Sequence, residues 1–307
     1  MHYSHNAPLP EPHAVTHAVA ESIDIMNKQE LISTLESLGM RPGRGLGQNF
    51  LLDGNLLDWI VRNSGAKAGD TVLEVGPGFG ALTEKMVQAG FQVTAIEFDH
   101  RLAEYLRKKF ASKENFRLIE KDACKVDYDE LFPVGTSYRA VANLPYAISS
   151  VFIAKILESK NLPESMFFML QKEMGERLAA KSGTKAYGAL SVRTQLLFDV
   201  NVEKIVPPQV FCPPPEVDSA LVSFKKLADS RCPEELLAIT SLLVRSLFNQ
   251  RRKQMGKVLG TLIGKENSAV VMENASLPWE IRPDKLEIEQ FIELARLSKP
   301  FLEKKGR

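Results

Sequence analysis

Asp70-Thr-Val-Leu-Glu-Val-Gly-Pro-Gly-Phe-Gly-Ala-Leu-Thr83 is the stretch that decides the fold of this chain. Its first half is largely apolar and ends at three glycines in alternate positions, Gly76, Gly78 and Gly80, after which helix-forming residues resume. This order predicts a β-strand, a tight loop and an α-helix. Glycine allows positive φ angles and lets a ligand approach the bare main chain, close to the unpaired N–H groups of the helix start.

A second predicted strand, residues 92–96, ends at Glu97, which is 21 residues after Gly76. In a nucleotide-binding βαβ unit, an acid at this position accepts hydrogen bonds from ribose hydroxyl groups. Gly76, Gly78 and Ala81 also match the dinucleotide pattern GxGxxG/A. These residues alone leave three interpretations open: a dehydrogenase, an enzyme that uses S-adenosyl-L-methionine (AdoMet), and a glycine turn with a purely structural role.

Strand and helix patterns continue to alternate after Glu97, and two later predicted strands end beside Asp122 and Asn143. Regular alternation of this kind predicts an α/β fold with a doubly wound parallel sheet, Rossmann-like in its organisation. Ligands bind such sheets at the carboxyl ends of the strands, where the glycine loop and these three polar residues all fall. The sequence therefore predicts one ligand site at this edge.

The composition of the 307 residues, 44% hydrophobic and 25% charged, is that of an ordinary globular protein. No apolar run approaches the length of a membrane span, and the N-terminus has no export signal. The three cysteines, Cys124, Cys212 and Cys232, are far apart and are most simply free thiols in a reducing compartment. We therefore expect a cytoplasmic protein with no membrane partner.

The chain divides into three predicted parts. Residues 1–26 contain four of the five histidines and no clear periodicity, which predicts a disordered leader. Residues 27–228 carry the α/β pattern, and residues 229–307 a helical one. Residues 172–257 hold 14 basic against 9 acidic side chains, and this excess fits either a polyanionic partner or an ordinary solvated face.

The string Asn143-Leu-Pro-Tyr146 decides the predicted chemistry. In isolation it could be only a turn, but behind a nucleotide-type loop it resembles the (Asn/Asp)-Pro-Pro-Tyr motif of AdoMet-dependent amino methyltransferases. The exocyclic amine of adenine is a poor nucleophile, because its lone pair is delocalised into the ring. An Asn oxygen and a backbone carbonyl beside the proline can accept both N–H bonds and aim that lone pair at a methyl sulfonium. Tyr146 offers a face on which an extruded base can stack.

Further strings follow the same order along residues 40–300. They are Gly47-Gln-Asn-Phe-Leu51, Glu74-Val-Gly-Pro-Gly78, Asn143-Leu-Pro-Tyr146, Met169-Leu-Gln-Lys-Glu173, Ala186-Tyr-Gly188, Leu190-Ser-Val192, Pro213-Pro-Pro-Glu-Val-Asp-Ser-Ala220 and Phe248-Asn-Gln-Arg-Arg-Lys253. With these signatures the chain resembles the bacterial small-subunit (16S) rRNA adenine dimethyltransferases. One departure lies close to the chemistry, because Ala147 follows the tyrosine where the family commonly has Asn or Tyr.

The resemblance implies AdoMet as the cofactor, no metal, and roles for individual residues. The implied cofactor contacts are Asn49, Leu51, Gly76, Gly78, Glu97, Asp122 and Asn143. Among them, Glu97 binds the ribose, Asp122 the adenine amine of AdoMet, and Asn143 both the cofactor and the target amine. Tyr146 stacks on the target base, and Phe211 either stacks on its other face or packs in the core.

Basic residues cluster on the predicted helix that begins near Cys232. By seven- and eight-residue spacing, Arg245, Arg252 and Lys253 share one face, and Lys257 extends that face by a turn. A solvated helix is the default interpretation, but an RNA substrate favours phosphate contacts from these residues and the adjacent Arg251.

For the whole chain, the resemblance implies AdoMet-dependent dimethylation at N6 of two adjacent adenines, in a hairpin near the 3′ end of small-subunit rRNA. The substrate would be an assembling 30S subunit, and nothing demands more than a monomer. Two alternatives are a large-subunit rRNA dimethyltransferase of the macrolide-resistance type and a non-catalytic RNA-binding assembly factor.

Overall fold

The computed structural model describes residues 27–40 and 49–305. The predicted disordered leader, residues 1–26, lies outside the described residues, as do residues 47 and 48 of the Gly47–Leu51 string. Within the described part, no helix combines the length and the apolar character needed to cross a bilayer.

Nine strands are present in the described residues, and seven of them form one sheet. The strands are β1 Phe50–Leu51, β2 Thr71–Val75, β3 Gln92–Glu97, β4 Phe116–Glu120, β5 Arg139–Asn143, β6 Ser165–Gln171, β7 Phe198–Val206, β8 Phe211–Cys212 and β9 Ser219–Lys226. The large sheet has the order β4-β3-β2-β5-β6-β9-β7, and β1 pairs with β8 in a separate two-stranded sheet.

The first five strands of the large sheet are parallel, as the alternating pattern predicts. The last two differ, since β9 runs antiparallel to β6 and β7 runs antiparallel to β9. Antiparallel neighbours need no helical crossover between them, and here the connection from β7 to β9 contains only a short 3-10 turn and β8. The predicted α/β doubly wound fold is confirmed, with this antiparallel edge added.

Helices cover both faces of the sheet. They are α1 Lys28–Ser37, α2 Gly54–Asn63, α3 Ala81–Gln88, α4 His100–Lys109, α5 Tyr128–Leu131, α6 Ser149–Ile156, α7 Lys172–Leu178 and α8 Ala189–Gln195. Neighbouring residues of a strand point to opposite faces. Val72 accordingly belongs to the buried cluster that holds Leu57 and Met86 of α2 and α3, whereas Leu73 belongs to the one that holds Phe152 of α6.

The chain becomes entirely helical after β9. The last four helices are α9 Glu234–Asn249, α10 Met255–Ile263, α11 Lys265–Asn274 and α12 Ile288–Lys305. The change of architecture falls between Lys226 and Glu234, an interval that contains the predicted boundary between residues 228 and 229. The apolar core continues across it, because Leu243 of α9 and Phe291 of α12 share one buried cluster with Leu170 of β6.

Candidate active site

A cleft opens at the carboxyl ends of β2 and β5, adjacent strands where the strand order reverses. Its empty volume is about 1010 Å³, open solvent included. The walls come from the glycine loop, residues 49–52, Glu97 and residues 143–146. A crevice of this kind is where open α/β sheets bind their ligands, and its size suits a nucleotide-like molecule.

The glycine loop lies directly against the loop that follows β5. Gly76 has a φ of +67°, and a Cβ atom there would lie 2.7 Å from Cγ of Pro145. Gly78 has a φ of +59°, and its Cβ atom would lie 3.1 Å from the ring of Phe50. Both the backbone conformation and the close approach therefore require glycine at Gly76.

Asn143 is the last residue of β5, and its side chain is held by the main chain of residue 49. The Asn143 Nδ2 donates a hydrogen bond of 3.2 Å to the carbonyl oxygen of Asn49. This bond fixes which end of the amide is the donor. The Oδ1 atom receives no hydrogen bond from the described residues, so it remains an acceptor within the cleft.

Glu97 ends β3 and is buried at the edge of the cleft. Its carboxylate accepts hydrogen bonds from the backbone N–H groups of Phe98 at 2.8 Å, Asp99 at 2.9 Å and Gly78 at 3.3 Å. Burial raises the pKa of this carboxyl, and the three N–H donors act in the opposite direction. The backbone donors orient the carboxylate toward the glycine loop.

Glu74 is a second buried acid, inside β2 and also lining the cleft. Thr83 in α3 donates its hydroxyl to the Glu74 carboxylate at 2.6 Å. Burial raises the pKa of Glu74 to about 8, opposed by the Thr83 hydrogen bond and reinforced by the charge of Glu97. The cleft therefore contains two carboxyl groups that a nearby positive charge would favour in their ionised form.

Tyr146 stands at the mouth of the cleft, half-buried, three residues after Asn143. Its hydroxyl forms a hydrogen bond of 2.6 Å with the hydroxyl of Ser219 at the start of β9. Burial raises the pKa of the phenol. This bond anchors the hydroxyl end of the Tyr146 side chain. The aromatic ring, rather than the hydroxyl, is therefore the part available to a ligand in the cleft.

Comparison with protein families identifies the chain. The model of the family "Ribosomal RNA adenine dimethylase" matches residues 42–299. The chain belongs to this family. Its members include an enzyme called ribosomal RNA small subunit methyltransferase A from Pseudomonas fluorescens, 41% identical over 251 residues, which cover 81% of this chain and 90% of the relative.

Two further relatives also match more than four fifths of this chain. The protein of the same name from Clostridium acetobutylicum is 36% identical over 262 residues, or 85% of this chain and 95% of the relative. A dimethyladenosine transferase from Plasmodium falciparum has a crystal structure that superposes with a TM-score of 0.68 and 27% identity, covering 84% of this chain and 98% of that one. The resemblance inferred from the motifs is therefore confirmed over the catalytic fold and most of the helical region.

The cleft of this dimethylase fits AdoMet, the cofactor of the family. AdoMet carries positive charge on its sulfonium and ammonium groups, and the cleft presents the buried carboxyls of Glu74 and Glu97. Lys85 and Lys109 also line it, but each already has a carboxylate partner. Those pairs are Lys85 with Asp58 at 2.8 Å and Lys109 with Glu84 at 2.9 Å. The charge balance therefore favours a cationic ligand.

The structure brings all of the predicted cofactor residues except Asp122 to this cleft, and it leaves Phe211, the predicted second stacking ring, outside it as well. Asp122 lies beyond the end of β4, where its carboxylate accepts a hydrogen bond of 2.9 Å from the backbone N–H of Cys124. Phe211 is 4% exposed and packs in the core with Leu57, so it does not border the cleft. The packing alternative for Phe211 is the one that this structure supports, because the pairing of β8 with β1 buries the ring.

The prediction that the basic residues share one helix face is wrong in one respect. The helix ends at Asn249, Gln250 leaves the helical conformation at φ −121° and ψ 40°, and α10 begins at Met255. Arg251, Arg252 and Lys253 therefore lie in a turn, and seven-residue spacing no longer places them beside Arg245.

Two of the predicted RNA contacts are used within the protein. Arg245 pairs with Glu158 at 3.1 Å. Arg251 donates to the carbonyl of Lys185 at 3.0 Å. The exposed residues Arg252, Lys253 and Lys257 have no acidic partner within the described part of the chain.

Sequence reasoning missed two polar contributors to the site. The first is Glu74, which lies in an otherwise apolar strand; an acid between Leu73 and Val75 is itself a signal of a buried functional carboxyl. The second is Ser219, which no sequence pattern links to Tyr146, 73 positions earlier.

Proposed function

We propose that this chain uses AdoMet to dimethylate the N6 atoms of two adjacent adenines in a hairpin near the 3′ end of small-subunit rRNA. The relatives named as small-subunit enzymes support this substrate. The observation that carries the proposal is the Asn143 amide, oriented by Asn49 so that its oxygen remains an acceptor beside the glycine loop and Tyr146.

Two acceptors in the cleft match the two N–H bonds of an adenine amine. The first is Oδ1 of Asn143. The second is the main-chain carbonyl of Leu144, a residue that lines the same cleft; this carbonyl receives no hydrogen bond from the described residues. By contrast, the next carbonyl, that of Pro145, is already occupied by the N–H of Ile148 at 3.1 Å and the hydroxyl of Ser149 at 3.0 Å.

These acceptors account for the reactivity of the amine. When both N–H bonds are held, the nitrogen lone pair is drawn out of conjugation with the ring and is aimed across the cleft. AdoMet supplies an electrophilic methyl group on its sulfonium. The protein contributes alignment and preorganised dipoles, with Glu97 and the backbone at Gly76 and Gly78 holding the cofactor. Each transfer would form an N–C bond as the methyl–sulfur bond breaks, with S-adenosylhomocysteine as the leaving group and one proton lost from the amine to water. After the first transfer the amine therefore retains one N–H bond, which Asn143 can still accept.

Tyr146 provides the stacking surface for the extruded base. The exposed Arg252, Lys253 and Lys257 supply positive charge to the RNA backbone. We propose that the enzyme acts as a monomer on an assembling 30S subunit in the cytoplasm. Asp122 is proposed as a contact of the AdoMet adenine amine, since it follows the strand next to β3.

The test is transfer of radiolabelled methyl groups from AdoMet to 30S particles that lack the adenine modification. We expect dimethyladenine in 30S particles, none in 50S particles, and formation slowed by about 10²- to 10³-fold with the Asn143→Ala variant. Label in 50S particles would indicate a large-subunit enzyme. Binding to 30S particles without any label would indicate an assembly factor that does not catalyse methylation.

A further inference from the structure

A second cavity opens on the other side of Tyr146. Its empty volume is about 520 Å³, and its walls come from the first turn of α6 and from the junction of β6 and α7. Tyr146 borders both this cavity and the cofactor cleft. Since the Tyr146 hydroxyl is bonded to Ser219 at 2.6 Å, the phenol is a fixed partition between the two spaces.

The lining of this second cavity is polar and suits a nucleobase. Gln171, the last residue of β6, and Ser150 of α6 are exposed, and their side chains have no hydrogen-bond partner among the described residues. Arg177 and Glu173 also line the cavity and pair with each other at 3.0 Å, so the guanidinium is partly neutralised. The free groups are thus a neutral amide and a hydroxyl rather than a concentration of positive charge.

A free primary amide selects ligands that present a donor and an acceptor side by side. Every unpaired base offers such an edge; adenine does so with its N6 amine and N7, for which glutamine is a standard partner. A phosphate would favour the opposite lining, with unpaired arginine or lysine side chains. The chemistry of the cavity therefore matches an unpaired base more closely than the RNA backbone.

We propose that this cavity holds the nucleotide next to the target adenine, with Gln171 bonding to the base edge of that neighbour, which is adenine in the proposed substrate. The inference rests on the proposed function, because it takes Tyr146 as the surface that receives the target base. Tyr146 lines both cavities, so the nucleotide adjacent to the target along the RNA is within reach of the second one. Gln171 and Ser150 are positioning residues that fix the register of the two bases.

The proposal makes the treatment of the two adjacent adenines unequal. The adenine that enters the cleft first has an unmethylated neighbour, whose N6 and N7 edge Gln171 can read. Once the first adenine carries two methyl groups it has no N6–H bond, so Gln171 can only donate to its N7 while the second adenine reacts. Because Gln171 contacts the neighbouring base, an adenine without an adenine beside it would be a poor substrate. The acceptors at Asn143 and Leu144 alone would not distinguish such an adenine from one of an adjacent pair.

The experiment measures single-turnover methyl transfer to reconstituted 30S particles with either the natural pair of adenines or one adenine replaced by guanine. Guanine still stacks, but it exchanges the amino group for a carbonyl oxygen. For the wild-type enzyme we expect the replacement to slow transfer to the remaining adenine by roughly tenfold to a hundredfold. Gln171→Ala should slow transfer to the natural particle by a similar factor, and the guanine replacement should then add little.

Gln88→Ala is the matched control, since Gln88 is an exposed glutamine at the end of α3 and lines neither cavity. Ser150→Leu is a second test variant that fills the cavity from an exposed position and should reproduce the loss. AdoMet affinity, measured by calorimetry, should be the same in Gln171→Ala and Ser150→Leu as in the wild type. That result would show that the fold and the cofactor cleft are intact.

Two outcomes would overturn the proposal while leaving the proposed function standing. One is a Gln171→Ala rate equal to that of Gln88→Ala. The other is a guanine effect of the same size in the wild type and in Gln171→Ala, because residues that read the same base must show coupled effects. Failure of the proposed function has a different signature, namely that the wild-type enzyme forms no dimethyladenine even in the natural particle.

Discussion

The cofactor cleft keeps its ionisable carboxyl groups inside the protein, whereas the turn between α9 and α10 presents its charged groups to solvent. Glu74 and Glu97 are 1% and 4% exposed, and each accepts hydrogen bonds from fixed donors. Arg252 and Lys253 are exposed and have no acidic partner within the described residues. Binding of one small molecule in the cleft thus depends on fixed geometry, whereas binding of a polyanion at the turn depends on unpaired positive charge. Substitutions in the two regions should therefore fail in different ways.

The largest effect is expected from Asn143→Ala. Removing one of two acceptors for the target amine should lower the rate of methyl transfer by about 10²- to 10³-fold, as for other preorganised groups at a reacting centre. Binding to 30S particles should stay as in the wild type, because the basic turn is untouched. Asn63→Ala, at an exposed residue of α2, serves as the control. A large loss of 30S affinity would contradict the division between the two regions.

Gly76→Ala should come next. Its cost combines the strain of a positive φ, of about 1 to 2 kcal/mol, with a Cβ atom 2.7 Å from Pro145. Gly65→Ala is a close control, because Gly65 has a φ of +76° but open space around its Cβ position. Chemical denaturation should show a larger loss of unfolding free energy for Gly76→Ala, and only this variant should bind AdoMet more weakly. Equal losses in both would mean that the approach of Pro145 is unimportant.

Glu74 should make stability depend on pH. Its pKa is raised from 4.5 to about 8 in the folded protein, so between these values the folded state keeps a proton that the unfolded state releases. Unfolding free energy should therefore fall as the pH rises through this window, by at most about 1.4 kcal/mol per pH unit for one proton. Glu74→Gln should flatten this slope, whereas Glu36→Gln, at an exposed residue, should not. A slope unchanged in Glu74→Gln would refute the assignment.

The smallest effects are expected at single surface charges. Each of Arg252→Ala and Lys253→Ala should reduce the slope of log affinity for 30S particles against log salt concentration by about 1. AdoMet affinity should not change. Arg245→Ala should reduce the salt slope by less, because its guanidinium is bonded to Glu158 at 3.1 Å, a carboxylate that it shares with Arg193. A reduction as large as that in Arg252→Ala would restore Arg245 to the RNA-binding surface.

The sequence predicts well those parts of the site that are local or that recur in a family. The loop at Gly76, the acid at Glu97 and the strand that ends at Asn143 each depend on a few neighbouring residues, and all three meet in the cleft. The basic turn was mistaken for a helix face because spacing alone does not show where Gln250 leaves the helix.

The contacts that the sequence could not predict join distant parts of the chain. The pairing of Arg245 with Glu158 spans 87 positions, and the pairing of Leu51 with Phe211 spans 160. The first engages a side chain that is predicted to contact RNA, and the second buries a ring for which both stacking and core packing are predicted. Composition and periodicity carry no information about such pairings, because these depend on how the finished sheet and helices pack.

The pairing of β1 with β8 also has a consequence for biosynthesis. Residues 50 and 51 lie over the glycine loop, but their backbone partners are residues 211 and 212. A nascent chain that ends before residue 211 can form β2 to β6 and the loops at their ends. It still lacks β8, the strand that pairs with β1 and secures one wall of the cleft. Closing so long a loop is slow relative to local contacts. Competence to bind the cofactor should therefore be acquired late in synthesis, after the parallel strands are already in place.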